Sequence, residues 1–327
     1  MKRLILDTDI GTDVDDAMAL ALLAASPEAL IEGVTTVHAD APLRAKIARK
    51  VLQLSGRSGI PVIAGASFPL QMPLPPKFHW NPTLRGHEGK GILSEEERRP
   101  SPAATLQSDA AAKFIIQRAS AHPGELSLLT IGSLTNVGRA IQLEPRLPDL
   151  IREVTLMGGV LDVGRFDWPP YFETNLNCDP LAARLVFESG IPLTIVPMDV
   201  TTQVFLSPRQ RERIRSWDRP LTNVMVAMME QMLEGMDALS REQGLAEDFY
   251  QGRTFMHDPL AVYSSLMTEL ATFRRTHVEL KVIDQCVRTV PVPDAPPNAQ
   301  VCAGIDHDRF IAFWIDRIRT LAGAVEG

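Results

Sequence analysis

Residues 7–17 read Asp7-Thr8-Asp9-Ile10-Gly11-Thr12-Asp13-Val14-Asp15-Asp16-Ala17, and they directly follow the apolar run Leu4-Ile5-Leu6. The residues after this stretch are again apolar, with the spacing of a helix. A short apolar strand, a polar turn and a buried helix are typical of the first unit of a parallel α/β sheet. The turn after such a strand lies where open α/β sheets bind their ligands. This stretch therefore predicts both the class of fold and the position of its site.

The alternation of short apolar runs and longer helical patterns continues along the chain. Strands are predicted at residues 4–6, 31–37, 61–64, 126–131, 154–157 and 193–196. Helices are predicted at residues 16–25, 43–54, 109–119, 135–143 and 181–188. This rhythm predicts an α/β fold with a Rossmann-like, open, mostly parallel sheet, helices on both faces, and an active site at the carboxyl ends of the strands.

The composition is that of an ordinary globular protein, with 327 residues, 45% hydrophobic and 22% charged. No Ser/Gly-rich or charged linker divides the sequence, so we expect a single domain over residues 1–327. Residues 69–91 are rich in Pro and Gly and form either a lid or a surface excursion. Residues 207–250 are helical in pattern and rich in Met, which predicts a cover over one end of the sheet.

Charge and cysteine usage narrow the class of partner. The formal net charge of −7 and the scattered Lys and Arg disfavour nucleic acid polymers, so a small molecule is expected. The three cysteines (Cys178, Cys286, Cys302) are far apart and lack a CxxC pair, which predicts reduced thiols. We see no signal-peptide core and no apolar run able to span a membrane, so a cytoplasmic protein without membrane contact is expected.

The first turn carries five carboxylates within ten residues, and these groups repel one another. Helix capping accounts for one or two of them, such as Asp15 or Asp16, but not for Asp7 and Asp9 at the end of the strand. A hard cation, Ca²⁺ or Mg²⁺, would neutralise the set. The spacing excludes an EF-hand, because Met18 falls where that loop needs its bidentate Glu.

A set of motifs in fixed order resembles the inosine/uridine-preferring nucleoside hydrolase family. The first turn is similar to that family's DTDxGxDDA signature. The later matching segments are Val34-Thr35-Thr36-Val37, Ile131-Gly132-Ser133-Leu134-Thr135-Asn136, Met157-Gly158-Gly159, Phe172-Glu173-Thr174-Asn175, Asp179-Pro180 and His257-Asp258-Pro259. The resemblance covers most of the chain and implies hydrolysis of the N-glycosidic bond of ribonucleosides to ribose and free nucleobase.

The resemblance also implies a cofactor, site residues and an assembly. Calcium would be held by the carboxylates of Asp9, Asp16 and Asp258 and by the carbonyl of Ile131. The residues implied to bind the ribose are Asp15, Asp40, Glu173, Asn175 and Asp258. Several of these residue types are also common at helix starts and in turns, so capping and turn roles stay open for them. A homo-oligomer, either a dimer or a tetramer, is implied in the same way.

Two catalytic roles follow from this ligand set. Asp9 would adjoin the attacking water and act as the general base. His257 is the candidate acid for the departing base, because imidazole can donate a proton near neutral pH. The surrounding carboxylates would favour the positive charge that develops on the ribosyl ring.

Three positions depart from the family pattern. The first turn is two residues longer than the shortest form of the motif, so Asp13 is an additional carboxylate without an assigned role. Asp40 stands where many members have Asn, and Arg85 stands where a loop often carries His, with His87 nearby. The sequence does not predict a preference for purine or pyrimidine bases.

Two other functions are compatible with part of the pattern. Asp7-Thr8-Asp9 after a first strand also resembles the nucleophile and acid/base pair of haloacid-dehalogenase-like phosphatases. That interpretation leaves the later motifs without roles. A calcium-dependent nucleoside or ribose binder without turnover is the third hypothesis, and release of free base would exclude it.

Overall fold

An eight-stranded sheet forms the centre of the protein in the computed structural model, which describes residues 1–71, 87–99, 108–162, 173–242, 252–283 and 286–324. The strand order is β3-β2-β1-β4-β5-β6-β12-β9. The first six strands of the chain are β1 (Lys2–Thr8), β2 (Ala29–Thr36), β3 (Val62–Ala64), β4 (Leu126–Thr130), β5 (Ile151–Met157) and β6 (Leu193–Val196). These six strands pair in parallel with their neighbours, so their carboxyl ends share one edge.

Helices cover both faces of this sheet. The helices in the first part of the chain are α1 (Asp15–Ala24), α2 (Ala41–Leu54), α3 (Ala110–Ala121), α4 (Thr135–Leu143), α5 (Leu147–Leu150) and α6 (Pro180–Phe187). Side chains of β1 alternate between two hydrophobic layers, with Leu4 and Leu6 in one and Ile5 in the other. Helices α1 and α2 belong to the first layer, and α3, α4 and α6 belong to the second. Strands covered on both faces have the apolar run of a buried parallel sheet.

The second part of the chain completes the sheet and adds two small hairpin sheets. Its elements are α7 (Met198–Thr201), β7 (Phe205–Leu206), α8 (Pro208–Arg215), α9 (Pro220–Glu242), β8 (Thr254–Phe255), α10 (His257–Leu266), β9 (Ala271–Thr276), β10 (Val278–Ile283), β11 (Cys286–Pro291), β12 (Ala299–Ile305) and α11 (His307–Ala324). Strand β12 joins β6 in parallel, and β9 pairs antiparallel with β12. Strands β7 and β8, and β10 and β11, form separate antiparallel pairs.

The predicted α/β class, the mostly parallel sheet and the helices on both faces are confirmed. The predicted strands and helices up to residue 196 are all present, with ends that differ by at most three residues. No strand was predicted beyond residue 196. Strands β9 and β12 extend the sheet by pairing with residues far away in sequence, as in the pair Ala299 and Leu193.

The long segments beyond the regular rhythm are described in part. Helices α8 and α9 occupy most of residues 207–242, and Met225, Met228, Met229 and Met232 are buried in the first hydrophobic layer. Residues 72–86 of the predicted lid and 243–250 of the predicted cover lie outside the described residues. The single domain, the lid and the cover therefore stay predictions. Among the helices of the described ranges, none is long and apolar enough to cross a membrane.

Candidate active site

The first turns of two helices meet beside the carboxyl edge of the sheet. Helices α1 and α10 pack against each other, and the backbone N–H of Asp258 donates to Oδ2 of Asp15 at 3.3 Å. Asp15 and Asp16 occupy the first turn of α1, and Asp258 occupies the first turn of α10. One carboxylate oxygen from each of these three buried residues lies within 4.8 Å of the others. The arrangement is a compact group of oxygen donors able to hold a cation.

Helix capping does not account for this group. Val14 and Met256 are the cap residues of the two helices, and neither helix has a side-chain cap. The side chain of Asp16 accepts a hydrogen bond from the Thr8 hydroxyl instead. The positive ends of both helix dipoles face the carboxylates, which favours their charged form.

Burial and mutual repulsion act against that charge. Burial raises the pKa of Asp15, Asp16 and Asp258, and the neighbouring carboxylates raise it further. The cluster would therefore retain protons at neutral pH unless a cation neutralises it. Carboxylates that are buried together in this way are typical of a metal site.

Asp9 and Ile131 lie next to each other at the ends of β1 and β4. A Cβ added to Gly132 would lie 2.8 Å from both the backbone nitrogen and Oδ1 of Asp9, so only glycine allows this close approach. Asp9 is half-buried. Burial raises its pKa, the guanidinium of Arg44 lowers it, and Asp13 raises it again. Asp9 in turn raises the pKa of Asp16 and Asp258 through charge repulsion.

The predicted ribose-binding residues have additional structural contacts. Oδ1 of Asp40 caps α2 by accepting from the Leu43 amide at 2.8 Å. The amide nitrogen of Asn175 donates to the carbonyls of Ile131 and Met157, both at 3.1 Å, and so joins the ends of β4 and β5. Asn175 therefore contacts the carbonyl that was predicted to hold calcium.

Glu173 is buried on the same edge of the sheet. Both of its carboxylate oxygens accept from the Leu176 amide at 3.2 Å, and Asn177 donates to one of them at 3.2 Å. Burial raises the pKa of Glu173, and these hydrogen bonds oppose the rise. The side chain is held rigidly by its own loop.

His257 is the first residue of α10, directly before Asp258. Its Nδ1 lies 2.7 Å from the Thr201 hydroxyl, and its ring is 5.5 Å from that of Phe255. Burial lowers the pKa of His257 to about 4, although Asp13 opposes the shift. The imidazole is therefore neutral at pH 7. If the Thr201 hydroxyl donates to Nδ1, the proton of the ring is on Nε2.

Comparison with known proteins identifies the family of this chain. The family model described as inosine-uridine preferring nucleoside hydrolase matches residues 4–312. The chain belongs to this nucleoside hydrolase family. It is 30% identical to the inosine-uridine preferring nucleoside hydrolase of Leishmania major, over 98% of each chain. It is 28% identical to a pyrimidine-specific ribonucleoside hydrolase of Escherichia coli, over 98% of this chain and 99% of the relative.

A solved structure agrees with these relatives. The purine-preferring ribonucleoside hydrolase from Gardnerella vaginalis superimposes with a TM-score of 0.79 at 26% identity, over 98% of this chain and 99% of that one. The protein is an N-glycosyl hydrolase that cleaves ribonucleosides to ribose and nucleobase. The phosphatase and the binder without turnover are set aside. The relatives differ in the base that their names specify, so the shared fold does not decide base preference.

Several residues of this nucleoside hydrolase organise the site without having been predicted. Arg44 of α2 donates to backbone oxygens of the first turn. Asn177 holds Glu173 and accepts from the Val287 amide at 2.7 Å. Asp199 accepts from the amides of residues 161 and 162, at 2.9 and 2.8 Å. Arg44 was visible in the sequence as a lone cation on the inward, apolar face of α2. The roles of Asn177 and Asp199 depend on contacts with distant loops.

Asp7 supports the site from below. Its Oδ1 accepts from the Thr35 hydroxyl at 2.5 Å and from the Asn136 amide at 2.8 Å. Burial raises the pKa of Asp7 to about 7, and these hydrogen bonds oppose the rise. Asn136, which belongs to one of the family motifs, thus ties α4 to Asp7 and to the end of β2.

The loop that contains Arg85 and His87 is described only from residue 87 onward. Arg85 lies outside the described residues. The ring Nε2 of His87 lies 2.7 Å from the Thr12 carbonyl, so His87 is attached to the first turn. The residues that contact the base stay unassigned.

Proposed function

We propose that this nucleoside hydrolase requires calcium and that Asp9, Asp16, Asp258 and the Ile131 carbonyl bind the ion. The observation that carries the proposal is the convergence of α1 and α10, which brings three buried carboxylates within 4.8 Å of one another at the carboxyl edge of the sheet. The family is metal-dependent, and the buried cluster fits a metal. The identity of the ion is our inference from the donors.

The donor chemistry supports calcium. The members of the cluster offer only carboxylate oxygens, and the neighbouring donor of the proposed set is a backbone carbonyl. Zinc prefers nitrogen and sulfur donors, whereas calcium takes several oxygens in a flexible geometry. Asp15 belongs to the same compact group, so it is close enough to contact either the ion or a ribose hydroxyl held beside it.

Asp9 is the proposed general base. When bound, calcium would orient the attacking water and acidify it. Asp9 lies just past the end of β1 and against Gly132, beside the proposed ligand Ile131, where its carboxylate could take a proton from that water. Oxygen from water adds to the anomeric carbon, the bond to the base nitrogen breaks, and Asp9 receives the proton.

His257 is the proposed donor to the departing base. Because its pKa is lowered to about 4, its role differs from that of an imidazolium acid. A neutral ring whose Nδ1 accepts from Thr201 presents its N–H on the other side, where it can donate a hydrogen bond to a base nitrogen. The negative charge that develops on the base strengthens this hydrogen bond in the transition state.

Ribose recognition is proposed for Asp15, Asp40, Glu173, Asn175 and Asp258. Four of these residues are tied by hydrogen bonds to nearby backbone groups, so they are already oriented before a substrate binds. Preformed orientation reduces the entropy that is lost when the hydroxyls are bound. Burial also strengthens each of the resulting polar contacts.

A panel of purine and pyrimidine ribonucleosides, assayed for free ribose, tests the activity. The same protein is dialysed against a chelator and refilled with calcium, magnesium or zinc, and its metal content is measured. We expect one calcium per chain and ribose release that returns with calcium. Full activity without a divalent ion, or recovery with zinc alone, would reject the calcium assignment.

A further inference from the structure

The guanidinium of Arg44 lies beneath the first turn, on the inward face of α2. Arg44 is only 2% exposed. Its Nη1 donates to the carbonyls of Asp9 and Ile10, and its Nη2 donates to the Thr12 hydroxyl at 3.0 Å. The side chain of Arg44 therefore holds two carbonyls and one hydroxyl of the first turn. A guanidinium has five N–H donors in a fixed plane and can bind several oxygens at once. The ammonium group of Lys lacks this fixed geometry.

The same guanidinium also holds the neighbouring loop. Its Nε donates to the carbonyl of His38 at 2.9 Å. His38 and Ala39 have φ angles of 71° and 53°, a conformation that is unfavourable for residues other than glycine. This loop leads directly into Asp40. Arg44 thus connects the loop that carries Asp9 with the loop that carries Asp40.

These four hydrogen bonds hold the first turn and the loop before Asp40 against α2. The turn is also pressed onto α2, because a Cβ on Gly11 would lie 2.6 Å from Cδ1 of Ile47. Thr12 continues the connection to residues 87 and 88.

We propose that Arg44 is a positioning residue of the calcium site, which sets the place of Asp9 through the backbone of the first turn. This role deepens the proposed function and rests on it. Without the guanidinium, the carbonyls of Asp9 and Ile10 would lose their donor, and the turn would no longer present Asp9 in one orientation. Calcium affinity and the rate of the chemical step depend on that orientation.

The test compares Arg44→Met and Arg44→Lys with the wild-type chain. Calcium affinity is measured by titration calorimetry on chelator-treated protein, and kcat and KM are measured at saturating calcium. We expect Arg44→Met to weaken calcium binding at least about tenfold and to lower kcat about 10²-fold with little change in KM. Arg44→Lys keeps the charge without the fork of donors, so its calcium affinity should lie between the two.

Arg3→Met is the matched control, because it removes an arginine that pairs with Glu32 away from the carboxyl edge. It should lower the melting temperature and leave calcium affinity unchanged. Wild-type calcium affinity and kcat in folded Arg44→Met would overturn the proposal. If that variant does not fold, Arg44→Lys and Thr12→Val decide, and wild-type affinity in both overturns it. A wild-type chain that binds no calcium would instead reject the proposed function.

Discussion

Buried carboxylates lie near both ends of β1 and β2, but their bonding partners differ between the two ends. In the amino-terminal half, Glu32 lies at a bulge in the pairing of β1 with β2, and its two carboxylate oxygens meet Arg3 and Arg118. At the carboxyl edge, the hydrogen bonds described for Asp15 and Asp16 come from a backbone amide and a hydroxyl. The first carboxylate is neutralised by the fold itself. The carboxylates of the second group are available to a cation, and this difference separates a structural charge from a binding site.

The largest effect should come from Asp9→Asn, which removes the proposed base at the carboxyl edge. We expect kcat to fall about 10³-fold or more for every ribonucleoside and for p-nitrophenyl riboside, because water must be activated whatever the leaving group. Steady-state kinetics at saturating calcium measure the loss. Asp109→Asn, at a surface ion pair with Arg139, is the control and should keep wild-type kcat. Retained turnover in Asp9→Asn would show that the base lies elsewhere.

His257→Ala should distinguish assistance to the leaving group from activation of the attacking water. With ribonucleosides we expect kcat to fall about 10²–10³-fold, the usual range for losing a hydrogen-bond donor that stabilises developing negative charge. With p-nitrophenyl riboside the loss should be small, because that leaving group departs well without a proton. Equal slowing of both substrates would make His257 a positioning residue held by Thr201.

Substrate selectivity tests whether the other polar groups of the edge bind ribose. A buried group left without its partner costs about 1–3 kcal/mol, so kcat/KM for 2′-deoxyribonucleosides should fall roughly 5–150-fold. In Glu173→Gln the preference for the ribonucleoside should change if Glu173 contacts a hydroxyl. Equal turnover of ribo- and deoxyribonucleosides by the wild-type chain argues against the assignment of the ribose-binding residues.

Stability should depend most strongly on pH while the cluster lacks its cation. In the fold the pKa of Asp15 is raised to about 8 and that of Asp7 to about 7, against 3.8 for the ordinary group. Between pH 4 and pH 8 the folded chain therefore binds more of these protons than the unfolded chain, so stability falls as pH rises. We expect chelator-treated protein to melt several degrees lower at pH 8 than at pH 5.5.

Calcium should reduce that dependence, because it binds the ionised carboxylates of the cluster and competes with their protons. The rise in melting temperature on adding calcium, measured by calorimetry, should be larger at pH 8 than at pH 5.5. An equal rise at both values would mean that the cluster is already ionised without the metal.

The smallest effect on function is expected at the other end of the strands. Glu32→Gln removes the charge that Arg3 and Arg118 share, so it should lower stability by about 1–3 kcal/mol. Its calcium affinity and kcat should equal those of the wild-type chain. Denaturant unfolding and calcium titration measure the two quantities. A change in calcium affinity would break the distinction between the two ends of the strands.

The residues up to 196 predict most of the fold because each strand and helix there carries its own local signal. The buried run of β1 and the period of α1 and α2 depend on neighbours in sequence, so their presence can be predicted without the tertiary structure. Strands β9 and β12 carry weaker patterns. Their place in the sheet depends on pairing with β6 and with each other, which local periodicity does not describe.

Some features of the site could likewise be predicted from the sequence, and others could not. The sequence alone determined that the first turn carries a crowd of carboxylates after a strand, and the order of motifs indicated the family. Only the tertiary structure brought Asp258 to Asp15, across 243 residues, and placed Arg44 under the turn. The physical reason is that sequence patterns report the faces of single helices and strands. Which helix starts meet, and which buried charge lies beneath them, depends on how those faces pack together.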